Sequence, residues 1–265
     1  MPSYSAAIDA WGTARLALPA IPALRKCLPT WVPESTAGHF LKYADEQTVA
    51  AVSAIDRAIQ SHEIDLSQRR NWPIIAAPRF LGRVAGPAVI RGYEQGGPQS
   101  VSPHIIPQNS LHSVSGALSI LLASHGPNVG IGGGPESLDD AILAAFSLPG
   151  MSGAEGCWLI ATAWNPEPVA DRQGRFSNEP ICHACALSLQ FTATGSAGGE
   201  LQFQPARTQR ADDRSLRPQM SVSHIVSQIE QLAGGESCHL AWALNWGGEV
   251  ALSVRAAGVR RRLAA

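Results

Sequence analysis

Charged residues are scarce in this sequence. Asp, Glu, Lys and Arg make up 15% of the 265 residues, whereas about a quarter is usual in soluble globular proteins. Hydrophobic residues make up 45%, and seven residues are Trp. Two interpretations stay open: the core of an Ala- and Gly-rich chain is large, or another subunit covers an apolar part of the surface.

The sequence also lacks an excess of either charge. The net charge is −1 and the isoelectric point is near 6.7, so no overall field favours nucleic acid or an anionic membrane. The one basic cluster is Arg260–Arg262, near the end of the chain. It is either a solvated tail or a surface for an anionic carrier or partner.

Targeting and membrane signals are missing as well. The first residues lack the basic segment and long apolar run of a secretory signal, and no apolar run reaches the ~18 residues of a membrane span. Five Cys, an odd number, favour reduced thiols over a disulfide framework. We therefore expect a cytoplasmic protein.

The order of predicted elements indicates an α/β fold with a mixed sheet. Expected strands are a first one ending at Gly12 and others at 71–80, 156–164 and 181–195, with a closing hairpin at 237–258. Residues 127–134 are expected to be a short strand that leads into a turn. Expected helices occupy 45–64, with Asp45 as the cap, 84–95, 111–126, 136–148 and 221–235. Residues 203–219 are expected to be a surface loop. No linker long enough to separate two domains is present, so we treat residues 1–265 as one domain.

The cysteine pattern permits the interpretation that the chain holds a zinc site. Cys182 and Cys185 have C-x-x-C spacing, and Cys238 and His239 follow later. However, residues three apart on a strand point to opposite faces. Buried thiols are therefore favoured, and we expect no metal and no cofactor.

The glycine-rich stretch at 125–137 precedes a predicted helix. Gly130, Gly132 and Gly134 resemble a dinucleotide fingerprint, but Pro135 occupies the position of the third required glycine. No Lys-Ser/Thr follows, so a P-loop is excluded, and no G-x-S-x-G occurs in the chain.

The order of motifs resembles the β-ketoacyl synthases. The segment Val101–Pro107 is similar to their "VSPFFIP" loop, His112–Gly116 to their "N-x-x-A-G" helix start, and Gly126–Asn128 to their "G-P-S" turn. The segment "LNWGGEVALSVR" resembles their terminal "GFGGTNATLVF". This resemblance implies a thiolase-like layered fold, a mixed sheet flanked by helices.

The resemblance also implies that the catalytic nucleophile is absent. Aligned through Gly126–Asn128, the family's thiolate position falls on Pro135, which has neither a nucleophile nor a backbone N–H. Pro135 suits the first turn of a helix and Glu136 suits its positive end. We therefore assign no catalytic residue. Glu136 and Ser137 are the only weak candidates.

The family's two catalytic histidines lie in its C-terminal half, which the resemblance implies is strongly abbreviated here. His183, His224 and His239 do not occupy matching motifs. Residues 1–200 resemble the N-terminal half, and 220–258 a remnant of the C-terminal half.

The primary hypothesis is a non-catalytic, chain-length-factor-type subunit. It would pair with an active ketosynthase and an acyl carrier protein in a polyketide, aryl-polyene or fatty-acid-like pathway, and any acyltransferase activity would belong to the complex. One alternative is a decarboxylase or hydrolase of altered chemistry that uses Glu136 or Ser137. Another is a homodimer that binds an acyl or carrier ligand.

Overall fold

A computed structural model describes residues 3–171, 173–176, 178–191, 198–205, 219–232, 236–245 and 247–256. The strands within these residues are β1 Tyr4–Ala17, β2 Ile74–Pro78, β3 Asn128–Gly130, β4 Gly156–Asn165, β5 Ile181–Gln190, β6 Gly199–Gln204, β7 Ser237–Ala243 and β8 Glu249–Arg255. The helices are α1 Ile21–Leu24, α2 Glu46–His62, α3 Ala85–Gly96, α4 Ile105–Asn109, α5 His112–Leu121, α6 Ser137–Ser152 and α7 Val222–Glu230. No helix in this part of the chain is long and apolar enough to cross a membrane.

All eight strands form one mixed sheet in the order β3-β2-β4-β5-β1-β6-β8-β7. Strand β2 is parallel to both β3 and β4. The other neighbouring pairs are antiparallel. The predicted mixed sheet flanked by helices is therefore confirmed.

Two apolar clusters lie on opposite faces of the sheet. On one face α2 and α5 pack through residues such as Ile55 and Leu118. On the other face α6 and α7 pack through residues such as Ile142 and Ile225. Strand β4 is buried along nearly its whole length, as the continuous apolar run predicts for a strand covered on both sides.

Helix α2 begins where the sequence predicted. The Asp45 carboxylate accepts a hydrogen bond from the N–H of Gln47 at 2.8 Å, which is the usual capping interaction. Val49, Val52 and Ile55 are buried against the sheet. Spacing of three and four residues puts them on one face of the helix.

Two strand predictions are wrong. Strand β1 continues past Gly12 to Ala17, because this glycine is a packing position and not a strand end. A Cβ on Gly12 would lie 2.1 Å from the carbonyl oxygen of Ala54 in α2. Strand β6 at Gly199–Gln204 was missed, and it includes the start of the region expected to be a loop. Residues 206–218 of that loop lie outside the described residues.

The closing hairpin is confirmed as β7 and β8, paired from Ser237 with Arg255 to Ala243 with Glu249. Gly247 and Gly248 have φ angles of 97° and 110°, which explains the two glycines at this connection. Strands β6, β8 and β7 extend the same sheet beyond β1. That residues 220–258 are the remnant of a second half stays a prediction.

Candidate functional site

The glycine-rich segment forms a sharp connection between β3 and α6, residues 131–136, which we call the elbow. Gly132 has a φ of 81°, and a Cβ there would lie 2.5 Å from the Cβ of Ser137. Gly133 has a φ of 97°, and a Cβ there would lie 2.6 Å from Cδ2 of Leu111. Both positions therefore require glycine. Gly134, in contrast, faces open space.

The turn also contacts the end of β2. Gly133 forms a bridge with Arg79, and its carbonyl accepts a hydrogen bond from the N–H of Phe80 at 3.2 Å. Phe80 has a positive φ of 54°, which is unusual for a bulky residue. The elbow and the end of β2 therefore support each other.

A buried amide holds the end of β2 in place. Gln47 is fully buried. Its Nε2 donates to the carbonyls of Arg79 at 2.7 Å and Phe80 at 3.2 Å, while its Oε1 accepts from Oγ1 of Thr162 at 2.8 Å. Sequence reasoning missed this residue, although an amide early in an otherwise apolar helix was the available signal.

Pro135 is exposed and lies two residues before the first residue of α6. The expectation that it occupies the first helical turn is therefore wrong by two positions, because the glycine turn continues through Gly134, whose carbonyl accepts from the N–H of Ser137. The carbonyl of Pro135 accepts a hydrogen bond from Nε2 of Gln219 at 2.6 Å. No cysteine occurs between residues 28 and 156, so no thiol of this segment can lie at the turn.

Glu136 and Ser137 occupy different environments. Glu136 is the exposed N-cap of α6, and its side chain makes no capping hydrogen bond. Ser137 is 4% exposed, and its hydroxyl has no hydrogen bond to any described residue. A serine nucleophile needs a general base within hydrogen-bond reach, so the surroundings of Ser137 do not support acyl transfer.

Asp139 joins the elbow helix to the closing hairpin. It is buried, and its carboxylate accepts from Nε1 of Trp242 at 3.3 Å and from the N–H of Asn245 at 3.0 Å. Burial raises the pKa of Asp139, and these two hydrogen bonds partly oppose that shift. Helix α6, which follows the glycine-rich turn, and the closing hairpin, whose sequence resembles the family's terminal segment, are thus in contact.

A cavity of about 590 Å³ lies beside Gly133. Its apolar lining residues include Phe80, Leu81, Pro87, Ile90, Leu111 and Val169. Ile90 and Val169 are 60% and 64% exposed. Large apolar side chains at the mouth of a cavity are typical of a surface that a ligand or partner covers.

Polar groups at this cavity are few. Arg83 lies 4.7 Å from the ring centroid of Phe80 and 3.9 Å from Glu167. Burial raises the pKa of Glu167, and the nearby Arg79 and Arg83 oppose that shift. Oδ1 of Asn109 is buried and accepts no hydrogen bond from a described residue. The lining of the cavity therefore suits a mainly apolar ligand.

The cysteine motif does not build a metal site. Cys182 faces the cluster under α2 and Cys185 the cluster under α6 and α7. Burial raises the pKa of Cys185 to about 12 and that of Cys182 well above its usual range. Among the described residues no group of three His, Cys, Asp or Glu side chains could hold a metal. The buried-thiol interpretation is confirmed for these two residues.

The three histidines lie on three different elements. His183 is buried in β5, where burial and the nearby Arg15 lower its pKa to about 4. His224 is exposed on α7, and His239 is exposed on β7 and lies 3.3 Å from the Ser237 hydroxyl. None of them forms a hydrogen bond with the elbow.

Comparisons with known proteins identify the fold. No family model matches the sequence, and no curated protein matches it. A solved type II polyketide acyl carrier protein in complex with its ketosynthase is similar with a TM-score of 0.61 at 14% identity, over 96% of this chain and 100% of that one. The ishigamide ketosynthase/chain length factor is similar with a TM-score of 0.57 at 14% identity, over 96% and 100%.

A third structure, a ketosynthase in complex with its chain length factor from Xenorhabdus doucetiae, gives a TM-score of 0.53 at 13% identity, over 95% of this chain and 99% of that one. The chain therefore has the thiolase-like fold of the ketosynthases. Two of these three neighbours are described as pairs of a ketosynthase and a chain length factor.

Proposed function

We propose that this chain is a non-catalytic, chain-length-factor-type subunit that pairs with an active ketosynthase. The observation that carries the proposal is the elbow. Its glycine geometry is kept, but Pro135 stands where the resemblance places the nucleophile. Pro135 supplies neither a thiolate nor a backbone N–H, so the turn has no group to carry an acyl chain as a thioester.

The edge of the sheet beside the elbow supports pairing. Strand β3 is terminal in the sheet, and the N–H of Ile74 donates to the carbonyl of Pro127 at 2.8 Å. The alternating pattern of a parallel pair then turns the backbone groups of Asn128 and Gly130 away from β2. An edge of this kind can accept a strand from another chain.

The cavity supports a role in shaping an acyl tunnel. It opens beside Gly133, and its mouth carries the exposed Ile90 and Val169. A partner seated on the β3 edge would close this mouth and remove these side chains from water. Its apolar lining fits an acyl or polyene chain.

Co-purification with a ketosynthase encoded in the neighbouring genes tests the pairing surface. Ile90→Glu should weaken the complex at least tenfold, because it places a charge at the covered mouth of the cavity. Leu143→Glu on α6 is the matched control, since Leu143 is also exposed but does not line the cavity. Equal effects of the two variants would contradict the assignment of this surface.

A further inference from the structure

The chain contains only two lysines, Lys26 and Lys42. Both line one groove of about 370 Å³ in the turn-rich segment between β1 and α2. The other residues of the groove are Pro22, Arg25, Gly38 and His39. Four side chains that can carry positive charge therefore meet at one concave surface, in a chain whose net charge is −1.

Arg25 holds the two lysine-bearing segments together. Its Nε and Nη2 donate to the carbonyl of Ala44 at 3.1 and 2.7 Å, and Nη2 also lies 2.6 Å from Oε1 of Glu46. Lys26 follows Arg25 directly, and Lys42 precedes Ala44 by two residues. This contact therefore keeps the two lysine-bearing segments next to each other.

A turn orients the second half of the groove. The N–H of Lys42 donates to the carbonyl of His39 at 2.9 Å, so these two residues are the fourth and first positions of one turn. Nζ of Lys42 lies 4.8 Å from the ring centroid of Tyr43, a cation–π distance. Lys42, which lines the groove, therefore contacts an exposed aromatic ring.

The charges of the lysines are not neutralised within the described part of the chain. No acidic side chain lines the groove, and neither lysine forms an ion pair with a described residue. Glu46 compensates only Arg25. Like charges near each other repel, and a bound anion would attract both ammonium groups and so offset this repulsion.

We propose that this groove binds the phosphate group of a phosphate ester. Two ammonium groups and the free edge of a guanidinium match the charge and the acceptor oxygens of a dianionic phosphate better than those of a single carboxylate. A second groove of about 630 Å³ shares Arg25 and Lys42 and continues along Tyr43, Ala85 and Ile105, with the carboxyl groups of Asp45 and Glu46 also in its wall. The organic part of the ester would lie there.

Isothermal titration calorimetry of the full chain with inorganic pyrophosphate tests the site. The wild type should bind saturably, and the double variant Lys26→Gln/Lys42→Gln should bind at least tenfold more weakly. The control Arg70→Gln/Arg175→Gln removes the same charge from two exposed positions outside the groove and should change the affinity less than twofold. Absence of saturable wild-type binding, or equal weakening in the control, would overturn the proposal.

Further ligands distinguish the source of the phosphate. Binding of ADP would indicate a soluble ester, whereas binding only to phosphatidylcholine vesicles that contain phosphatidic acid would indicate a lipid headgroup. Citrate is the control anion, and citrate binding as tight as that of pyrophosphate would contradict recognition of phosphate. The measurements use this chain alone, so they do not depend on pairing with a ketosynthase.

Discussion

At the scale of single residues, the elbow is explained by where glycine is needed. The sequence showed five glycines in the stretch 125–137. It could not distinguish the positions that exclude a side chain from those that would accept one. Gly132 and Gly133 have positive φ, and a Cβ on them would clash with Ser137 and Leu111, whereas Gly134 faces open space. Only the folded arrangement of α6 and of the segment before α5 makes this distinction.

Gly132→Ala is therefore expected to lower the free energy of unfolding by about 2 kcal/mol, because it adds a Cβ at positive φ and against Ser137. Urea unfolding followed by circular dichroism measures this loss. Gly134→Ala is the control and should change stability by less than about 0.5 kcal/mol. Equal losses in both variants would contradict the assigned roles.

Asp45 makes the stability of the fold depend on pH, and the direction of its pKa shift defines the sign of this dependence. Burial, followed by the charge of Glu46, raises the pKa of Asp45 to about 7, while hydrogen bonds from the N–H groups of Gly82 and Gln47 partly oppose the shift. A carboxyl group whose folded pKa is raised stabilises the fold below its unfolded pKa, and it loses this contribution as the pH rises through the folded value.

The stability of the wild type relative to Asp45→Asn should therefore fall between about pH 4 and pH 7. Asp65 is the opposite control. Its pKa is lowered by hydrogen bonds from the hydroxyl and N–H of Ser67, so the wild type should gain stability relative to Asp65→Asn as the pH rises. Urea titrations at several pH values measure both differences, and slopes of the same sign would contradict the account.

Glu136 permits a direct test of the altered-enzyme hypothesis. It is exposed, and the neighbouring Ser137 hydroxyl has no described hydrogen-bond partner. We expect the wild type and Glu136→Gln to be equally inactive when each is incubated with malonyl-carrier protein and analysed by mass spectrometry. Decarboxylation by the wild type that is lost in the variant would support an enzyme in place of a non-catalytic subunit.

At the scale of elements, α6 and the closing hairpin are connected by hydrogen bonds to one buried carboxylate, that of Asp139. The sequence predicted both elements but not the contact, since Asp139 and Trp242 lie about a hundred residues apart. An acidic residue in the first turn of a helix is already explained by its favourable interaction with the helix dipole, so nothing in the sequence pointed to a second role for Asp139. Its second role, accepting from Trp242 and Asn245, depends on tertiary packing.

Trp242→Phe should destabilise the fold by about 1–2 kcal/mol, because it removes the buried donor to Asp139. Trp11→Phe is the matched control. Its Nε1 donates to the carbonyl of Arg255 at an exposed position, and we expect a loss below about 0.5 kcal/mol. Thermal unfolding of the two variants compares these values, and a smaller effect at Trp242 than at Trp11 would contradict the proposed connection.

Prediction of the elements from sequence failed where tertiary contact replaces a local signal. Gly12 reads as a strand end, yet α2 packs so closely on β1 that only glycine fits there. Strand β6 alternates buried Leu201 and Phe203 with exposed glutamines, but it is short and its flanking segments are polar. Helix α2 and strand β4 were predicted correctly because their apolar patterns are long and regular.

At the scale of the whole molecule, the order of motifs identified the ketosynthase fold that the structural comparisons show. Composition left two explanations for the low charge, a large core and a covered surface, and the pairing that we propose rests on the second. The exposed Ile90 and Val169 lie at the mouth of the cavity beside the elbow. The sequence could not locate this surface, because its residues come from α3 and from the segment after β4.

The central claim is that the chain is one half of a complex with an active ketosynthase. Light scattering coupled to gel filtration of the co-expressed pair measures it most directly. The account predicts one species with the summed mass of the two chains, and condensing activity that is lost when the catalytic cysteine of the ketosynthase is replaced. Two separate species, each with its own mass, would contradict it.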